Sequence, residues 1–331
     1  AKLIDLHPKA GPALFVTNRP HAKRLDVLFS ACTDTVFPDM TAFNDPMTIE
    51  GNRVKGPGAL DCKGGSLAIL YTLANTPLSV LDKLAIAVCY LPDGEAGFFA
   101  SHRWFQDIAS RASSALVFGP AKDNGEMICA RKSAGTFKIE FHGQSAHADI
   151  YPGSGSDALL AMVKFIAKVK EHEDQDKGIT INFGCAQAGL IPNVVAENAS
   201  AQCRVFAWSN KEYYDIKELL LHCAKQTWVE GVTQTVTEIN HISAMPFSDA
   251  SKELAKKIER AAWQEGFDIK WGRSAAISDG NYIAAMGVPV LDGFGPQGSN
   301  LYSKNEYLEI NSIEKKVKIV IRFLEDLASN K

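Results

Sequence analysis

The chain has 331 residues, enough to bury a large core and long enough to favour two domains over one. Hydrophobic residues at 46% and charged residues at 22% describe an ordinary globular protein, and a net charge of −3 gives no polyelectrolyte signal, which argues against a nucleic-acid partner. The lysine cluster Lys315, Lys316 and Lys318 lies on one helical stretch and reads as a solvated face.

In chain order, the opening is a series of short strand-like pieces, Leu3–Leu6, Ala13–Val16 and Asp26–Ser30. No helix precedes the first strand, so a further N-terminal segment is expected in the full protein. A turn rich in glycine, Gly56–Gly65, follows and carries one carboxylate, Asp61, just ahead of a helix predicted over Ser66–Ala74. A carboxylate there suits a helix cap or a metal ligand, and chemistry alone leaves both open. Lys83–Leu91 reads as a buried strand, Phe98–Arg111 as a helix and Ser114–Phe118 as another buried strand. Continuous apolar strands alternating with helices indicate an α/β layer with a largely parallel sheet.

From Ser133 the texture changes. Gly135–His142 alternates, Asp157–Val169 has helical periodicity, Ile179–Ala186 and Ala199–Trp208 read as strands, Lys211–Gln226 as a helix and Gln234–Ile242 as a strand. The order β-α-β-β-α-β predicts an inserted α+β ferredoxin-like domain over residues 133–245. The α/β texture then resumes with a helix over Ala250–Glu265, a strand at Phe267–Trp271, a helix starting at Ser278-Asp279, a buried strand at Val288–Leu291 and an amphipathic helix over Ser312–Ala328. Residues 1–132 and 246–331 are therefore expected to form one discontinuous domain. Asp279, at the start of that helix, reads on chemistry alone as a helix N-cap.

No apolar run reaches the length of a membrane span, and the first residues lack the basic start and apolar core of a secretory leader. The seven cysteines are odd in number, scattered and mostly inside apolar runs, which is the usage of a reducing, cytoplasmic compartment. Cys32 and Cys62 lack Cys-x-x-Cys spacing, so redox chemistry has little support.

Several stretches are strand ends followed by polar turns, where an open α/β sheet gathers its site residues. They are Leu28–Phe37, the turn with Asp61, Leu91-Pro-Asp-Gly-Glu-Ala-Gly97, Val117-Phe-Gly-Pro-Ala121 and Gly295–Tyr307. Together with Gly143-Gln-Ser-Ala-His-Ala148, Ile191-Pro-Asn-Val-Val195 and Ser278-Asp-Gly-Asn281, they make the chain resemble the M20 metallopeptidase family from about residue 26 to the C-terminus.

The resemblance implies a zinc-exopeptidase-like catalytic domain with an inserted dimerisation domain, hence a homodimer. It also implies two zinc ions sharing a bridging aspartate, with an adjacent glutamate as general base for hydrolysis of peptide or N-acyl-amino-acid amide bonds. Carried over residue by residue, the metal set becomes Cys32, Asp61, Glu95 and Tyr302. Asp61 stands at the bridging position, Cys32 replaces a histidine, Tyr302 replaces a histidine, and Gly119 replaces a carboxylate. Gly94 stands where the base belongs. Asp34 and His147 match catalytic positions, His147 being the inserted-domain residue that the family sends to the partner subunit's site. Asn193 matches a substrate contact, and Phe206 stands where the family has a substrate-binding arginine, with Arg204 on the same strand face as the substitute.

Catalytic zinc usually has three protein ligands, so at most one weakly held divalent metal is expected and no cofactor is assigned firmly. The expectation is a pseudoenzyme that binds a small carboxylate-bearing molecule, a peptide or acylated amino acid. Two alternatives stand beside it: a hydrolase with an atypical mononuclear centre at Cys32, Asp61 and Glu95, whose base would be His147, Asp93 or Asp34, and a non-catalytic dimeric binding or structural module.

Overall fold

The computed structural model describes residues 1–38, 41–151 and 153–331, without the side chains of 42 and 43. The chain divides into two compact units, Ala1–Arg131 with Met245–Lys331, and Lys132–Ala244.

The first unit begins with β1 (Lys2–Ile4), β2 (Ala13–Thr17), β3 (Val27–Cys32), α1 (Thr41–Asn44), β4 (Thr48–Glu50) and β5 (Arg53–Lys55). A tight π-type turn over Ala59–Lys63 leads into α2 (Gly64–Asn75) and the short α3 (Leu78–Leu81). Next come β6 (Ile86–Leu91), α4 (His102–Ala109), β7 (Ala115–Val117) and β8 (Met127–Arg131). The six-stranded sheet has the order β1-β2-β6-β3-β7, with one later strand, Val290–Leu291, beyond β7. The four strands β6, β3, β7 and Val290–Leu291 are parallel, while β1 and β2 are antiparallel at one edge.

Alternation along these strands explains why they read as continuous apolar runs. Val27, Phe29 and Ala31 face one core with Ile86, Val88 and Tyr90, whereas Leu28 faces a second core with Ala87, Cys89 and Leu91. Both faces of the sheet are thus covered. Helix α2 contributes Ala68 and Ile69 to the first core, and α4 contributes Phe105 and Ile108 to the second.

The second unit contains β9 (Ser133–His142), α5 (Ala158–Lys170), β10 (Thr180–Ala188), β11 (Asn198–Ala207), α6 (Asn210–Cys223) and β12 (Thr233–Ile242). Its strands pair antiparallel in the order β10-β11-β9-β12, the ferredoxin-like arrangement. Both helices contribute to one core, α5 with Met162 and Phe165 and α6 with Tyr213 and Leu220, over Phe137, Ile139 and Phe141 of β9. Asp157 caps α5 through the Leu160 amide, and Ser209 with Glu212 forms a capping box on α6.

The chain then returns to the first unit with α7 (Asp249–Gln264), β13 (Trp271–Ser274), α8 (Asp279–Ala284), β14 (Val290–Leu291), β15 (Gly298–Ser299), β16 (Tyr307–Glu309) and α9 (Ile310–Ser329). Helices α7 and α9 bring Leu254, Ile258, Val320 and Phe323 to the first core. The strand expected at Phe267–Trp271 instead starts at Trp271 and pairs in parallel with β8. Its register is set by that partner, a non-local choice that the local pattern does not carry. The helix expected from Phe98 starts at His102, because Phe98 is held at φ 57° behind Gly97. The sheet β15-β16-β5-β4 was missed, its strands being two or three residues each. Among the described residues no helix is long and apolar enough to cross a membrane.

Candidate functional site

The parallel strands end at Cys32, Leu91, Val117 and Leu291, and the turns that follow line a cleft of about 570 Å³ in the first unit. This is the carboxyl end of an open sheet, beside β3, where the strand order reverses between β6 and β7. Cys32, Asp61, Gly94, Glu95, Gly119 and Tyr302, quoted from five separate stretches of sequence, all line it.

Asp61 does not cap α2. The N-cap position is Lys63, which makes no side-chain capping bond, and the Lys63 ammonium donates to the Pro57 carbonyl at 2.7 Å. Asp61 instead accepts at Oδ2 from the Tyr302 hydroxyl at 3.1 Å, and that hydroxyl is also 3.3 Å from Glu95 Oε1. Burial raises the Asp61 pKa to about 6, partly offset by the Tyr302 hydrogen bond. Burial also lifts Glu95 to about 7, reinforced by the charges of Asp61 and Asp34. The Tyr302 phenol is pushed well up by burial and then by the two carboxylates, so it stays protonated.

Tyr302 is placed by a residue that inspection of the sequence missed. Glu306 is fully buried; its Oε1 accepts from the Leu60 and Asp61 amides at 2.9 and 3.2 Å, and its Oε2 from the Tyr302 amide at 3.1 Å. It ties the Asp61 turn to the 300–306 loop, where Tyr302 sits at φ 63°. Nothing in the local pattern marks Glu306, because two of its three backbone partners, the Leu60 and Asp61 amides, are distant in sequence.

Asp34 is likewise committed, accepting from the Gly94 and Glu95 amides at 2.9 and 2.8 Å. Burial raises its pKa against these hydrogen bonds. Asp93, 1% exposed, accepts at Oδ2 from the amides of Ala100 and Ser101 ahead of α4, and its Oδ1 meets no partner among the described residues. The N-cap of α8 is Ser278, not Asp279. Asp279 is 3% exposed, its Oδ2 meets no partner among the described residues, and burial followed by the Asp292 charge raises its pKa to about 7. Asp292 in turn holds Arg131 Nε at 2.7 Å in a buried pair and accepts from the Ser278 hydroxyl at 2.6 Å. A carboxylate directly after an apolar strand was the available signal for Asp292.

Space at the two substituted glycines differs. A Cβ at Gly94 would stand 2.0 Å from Cys32 Sγ and 2.9 Å from its Cβ, so the thiol fills the room a side chain would need. At Gly119 a Cβ would meet only Asp292 Oδ1 closely, at 3.1 Å. Burial, followed by the surrounding acids Asp279, Asp34 and Asp61 together with Cys62, pushes the Cys32 thiol well above its ordinary pKa.

These residues do not fit a dinuclear zinc centre. Among the described residues no three His, Cys, Asp or Glu side chains are grouped to hold a metal ion, and the phenol proton of Tyr302 is directed at the carboxylates that would be ligands. Here Asp61, Tyr302 and Glu95 form a hydrogen-bonded cluster, with Cys32 packed against Gly94.

The remaining candidates lie in the second unit. His147 Nδ1 accepts from the Asp149 and Ile150 amides, both at 3.3 Å. The loop segments bearing His147 and Asn193 run side by side, joined by an isolated antiparallel bridge between His147 and Val194, with the Ala148 amide donating to the Asn193 carbonyl at 3.0 Å. Arg204 is exposed on β11, its guanidinium 5.2 Å from the Phe206 ring, as expected for neighbours on one strand face.

Carboxypeptidase G2 of Pseudomonas sp. (strain RS-16) is 26% identical over 310 residues, covering 92% of this chain and 75% of that protein. A probable carboxypeptidase of Aspergillus flavus is 26% identical over 209 residues, but these are 56% of this chain and 47% of that one. The chain thus spans from about half to three quarters of these relatives. Among solved structures, aminopeptidase PepT from Bacillus cereus superposes with a TM-score of 0.73 at 19% identity, covering 96% of this chain and 84% of that one. The M20 family metallo-carboxypeptidase Sso-CP2 from Sulfolobus solfataricus gives 0.68 at 17% identity, covering 98% and 89%. The model of peptidase family M20/M25/M40 matches residues 28–326, and the chain belongs to that family.

Proposed function

We propose that this family member binds a small molecule of the peptide or amino-acid class and does not hydrolyse it. The reading is carried by Gly94: the position matching the general base has no side chain, and Cys32 Sγ occupies the volume that one would need. Amide hydrolysis needs a group to take the proton of the attacking water. Of the nearby acids, Asp34 accepts from two backbone amides, Asp93 from two more at Oδ2, and Asp61 and Glu95 share one phenol, while Asp93 Oδ1 and Asp279 Oδ2 meet no partner among the described residues.

In this reading His147, Asn193 and Arg204 are substrate-binding remnants that recognise a ligand carboxylate. The second unit acts as a homodimerisation surface, supported by exposed Leu159, Leu160 and Val163 on α5, and the protein works in the cytoplasm. The mass of the intact chain in solution tests the dimer.

Metal analysis of the purified chain, together with hydrolysis assays on dipeptides and N-acyl-amino acids with added zinc, tests the main claim. Fewer than two bound zinc ions and no turnover above the uncatalysed rate are expected; two zinc ions with turnover would sink it. Turnover with a single metal, abolished by Asp61→Ala, would instead support the mononuclear hydrolase.

A further inference from the structure

The cluster at the floor of the cleft is short of hydrogen-bond donors. Tyr302 has one hydroxyl proton and faces two carboxyl groups, Asp61 Oδ2 at 3.1 Å and Glu95 Oε1 at 3.3 Å, so with both acids ionised one of the contacts sets oxygen lone pairs against a carboxylate. Asp279 lines the same cleft, is 3% exposed, and its Oδ2 has no partner among the described residues. A buried carboxyl oxygen left without a partner is costly, which points to a donor supplied from outside the chain.

Among the described residues the wall offers no unpaired cation to supply it. Of the charged side chains lining the cleft, Asp61, Glu95, Asp123 and Asp279 are acidic and only Lys122 and Arg131 are basic. Lys122 Nζ is 2.5 Å from Glu126, and Arg131 Nε is 2.7 Å from Asp292. Both basic groups are paired with acids outside the lining, and although the Arg131 charge still acts on Asp61 and Asp279, the acids that face the cleft are only partly compensated. Phe98, Ile128, Ile277 and Leu301 give the walls apolar surface beside the polar Asn124, Ser274 and Ser278.

We propose that this cleft binds a small primary amine with a short apolar body, its ammonium group donating to Asp61 and Glu95 while Asp279 adds to the attractive field. An ammonium carries three donors and no acceptor, which matches what the cluster lacks. The inference rests on the non-hydrolytic reading and deepens it: a peptide or amino acid with a free amino group enters amine-first, and N-acylation removes the recognised group.

The test is calorimetric titration of the full chain, stripped of metal, with phenethylamine and with its uncharged isostere phenethyl alcohol. One equivalent of amine is expected to bind, at least about tenfold more tightly than the alcohol, and Glu95→Gln should weaken the amine by about tenfold, the effect of losing one charge-assisted hydrogen bond. Asp279→Asn should weaken it as well. Absence of amine binding, equal binding of the alcohol, or affinity unchanged in both variants would overturn the proposal. Zinc uptake with turnover would overturn the non-hydrolytic reading; no zinc, no turnover and no amine binding would overturn the ammonium site alone.

Discussion

At the scale of single residues, the site is a set of acids under tension with their burial. Asp61, Glu95 and Asp279 have pKa values raised to about 6, 7 and 7 from ordinary values near 4. For an acid whose pKa is higher folded than unfolded, the folded state binds the extra proton. Its stabilisation is therefore complete below the unfolded value and is lost as pH rises through the folded one. Stability should fall between about pH 4 and pH 7.5, opposite to the effect of a salt-bridged carboxylate. A Tm series from pH 5 to pH 8 checks this: the wild type should lose Tm with rising pH, and Glu95→Gln should lose less. A flat or rising profile, equal in both proteins, would contradict it. The sequence placed Asp61 and Glu95 in one site through family resemblance. It did not show Tyr302 protonated between them, because that depends on the 300–306 loop folding back and on Glu306 holding it there.

At the scale of elements, the approach of α2 to the sheet decides how tightly the Asp61 turn is held. Gly65 opens α2, and a Cβ there would stand 1.8 Å from the Phe118 carbonyl oxygen. Helix propensity favours alanine over glycine by about 1 kcal/mol, but a backbone oxygen cannot swing aside as a side chain would. Gly65→Ala should therefore destabilise by about 2 kcal/mol or more, read as a lowered midpoint in urea unfolding with unchanged slope. A neutral or stabilising result would mean that α2 can shift away from β7. The elements themselves were legible to the degree that they carry a long period. Helices α5, α7 and α9 and strands β3, β6 and β11 match their apolar patterns closely. The two- and three-residue strands β4, β5, β15 and β16 carry no period to read, and exist because they pair with one another.

At the scale of the whole molecule, the second unit interrupts the first at neighbouring points. Ala134 pairs with Ile242, and Arg131 with Met245, so the chain leaves and returns side by side. Such an insert can keep its own core, here Phe137, Phe141, Phe165, Tyr213 and Leu220, while leaving the sheet of the first unit unbroken. On α5 the apolar residues outnumber what that core takes up: Leu159, Leu160 and Val163 are 42%, 45% and 52% exposed. Burying that stripe against a second copy is the proposed homodimer. Light scattering of the intact chain should give twice 36.0 kDa, and Val163→Glu with Leu160→Glu should halve the mass. A monomeric wild type would remove the dimer from the account.

By itself the sequence determined the α/β class, the family and the ferredoxin-like insert, because buried strands, amphipathic helices and turn glycines are local patterns imposed by backbone geometry and burial. It also determined which residue types stand at the family's metal and base positions. Only the tertiary structure decided what those residues do now. That Cys32 fills the space at Gly94, that one phenol serves two acids, and that Asp279 Oδ2 meets no partner among the described residues are outcomes of the tertiary fold, fixed by packing and hydrogen-bond distance.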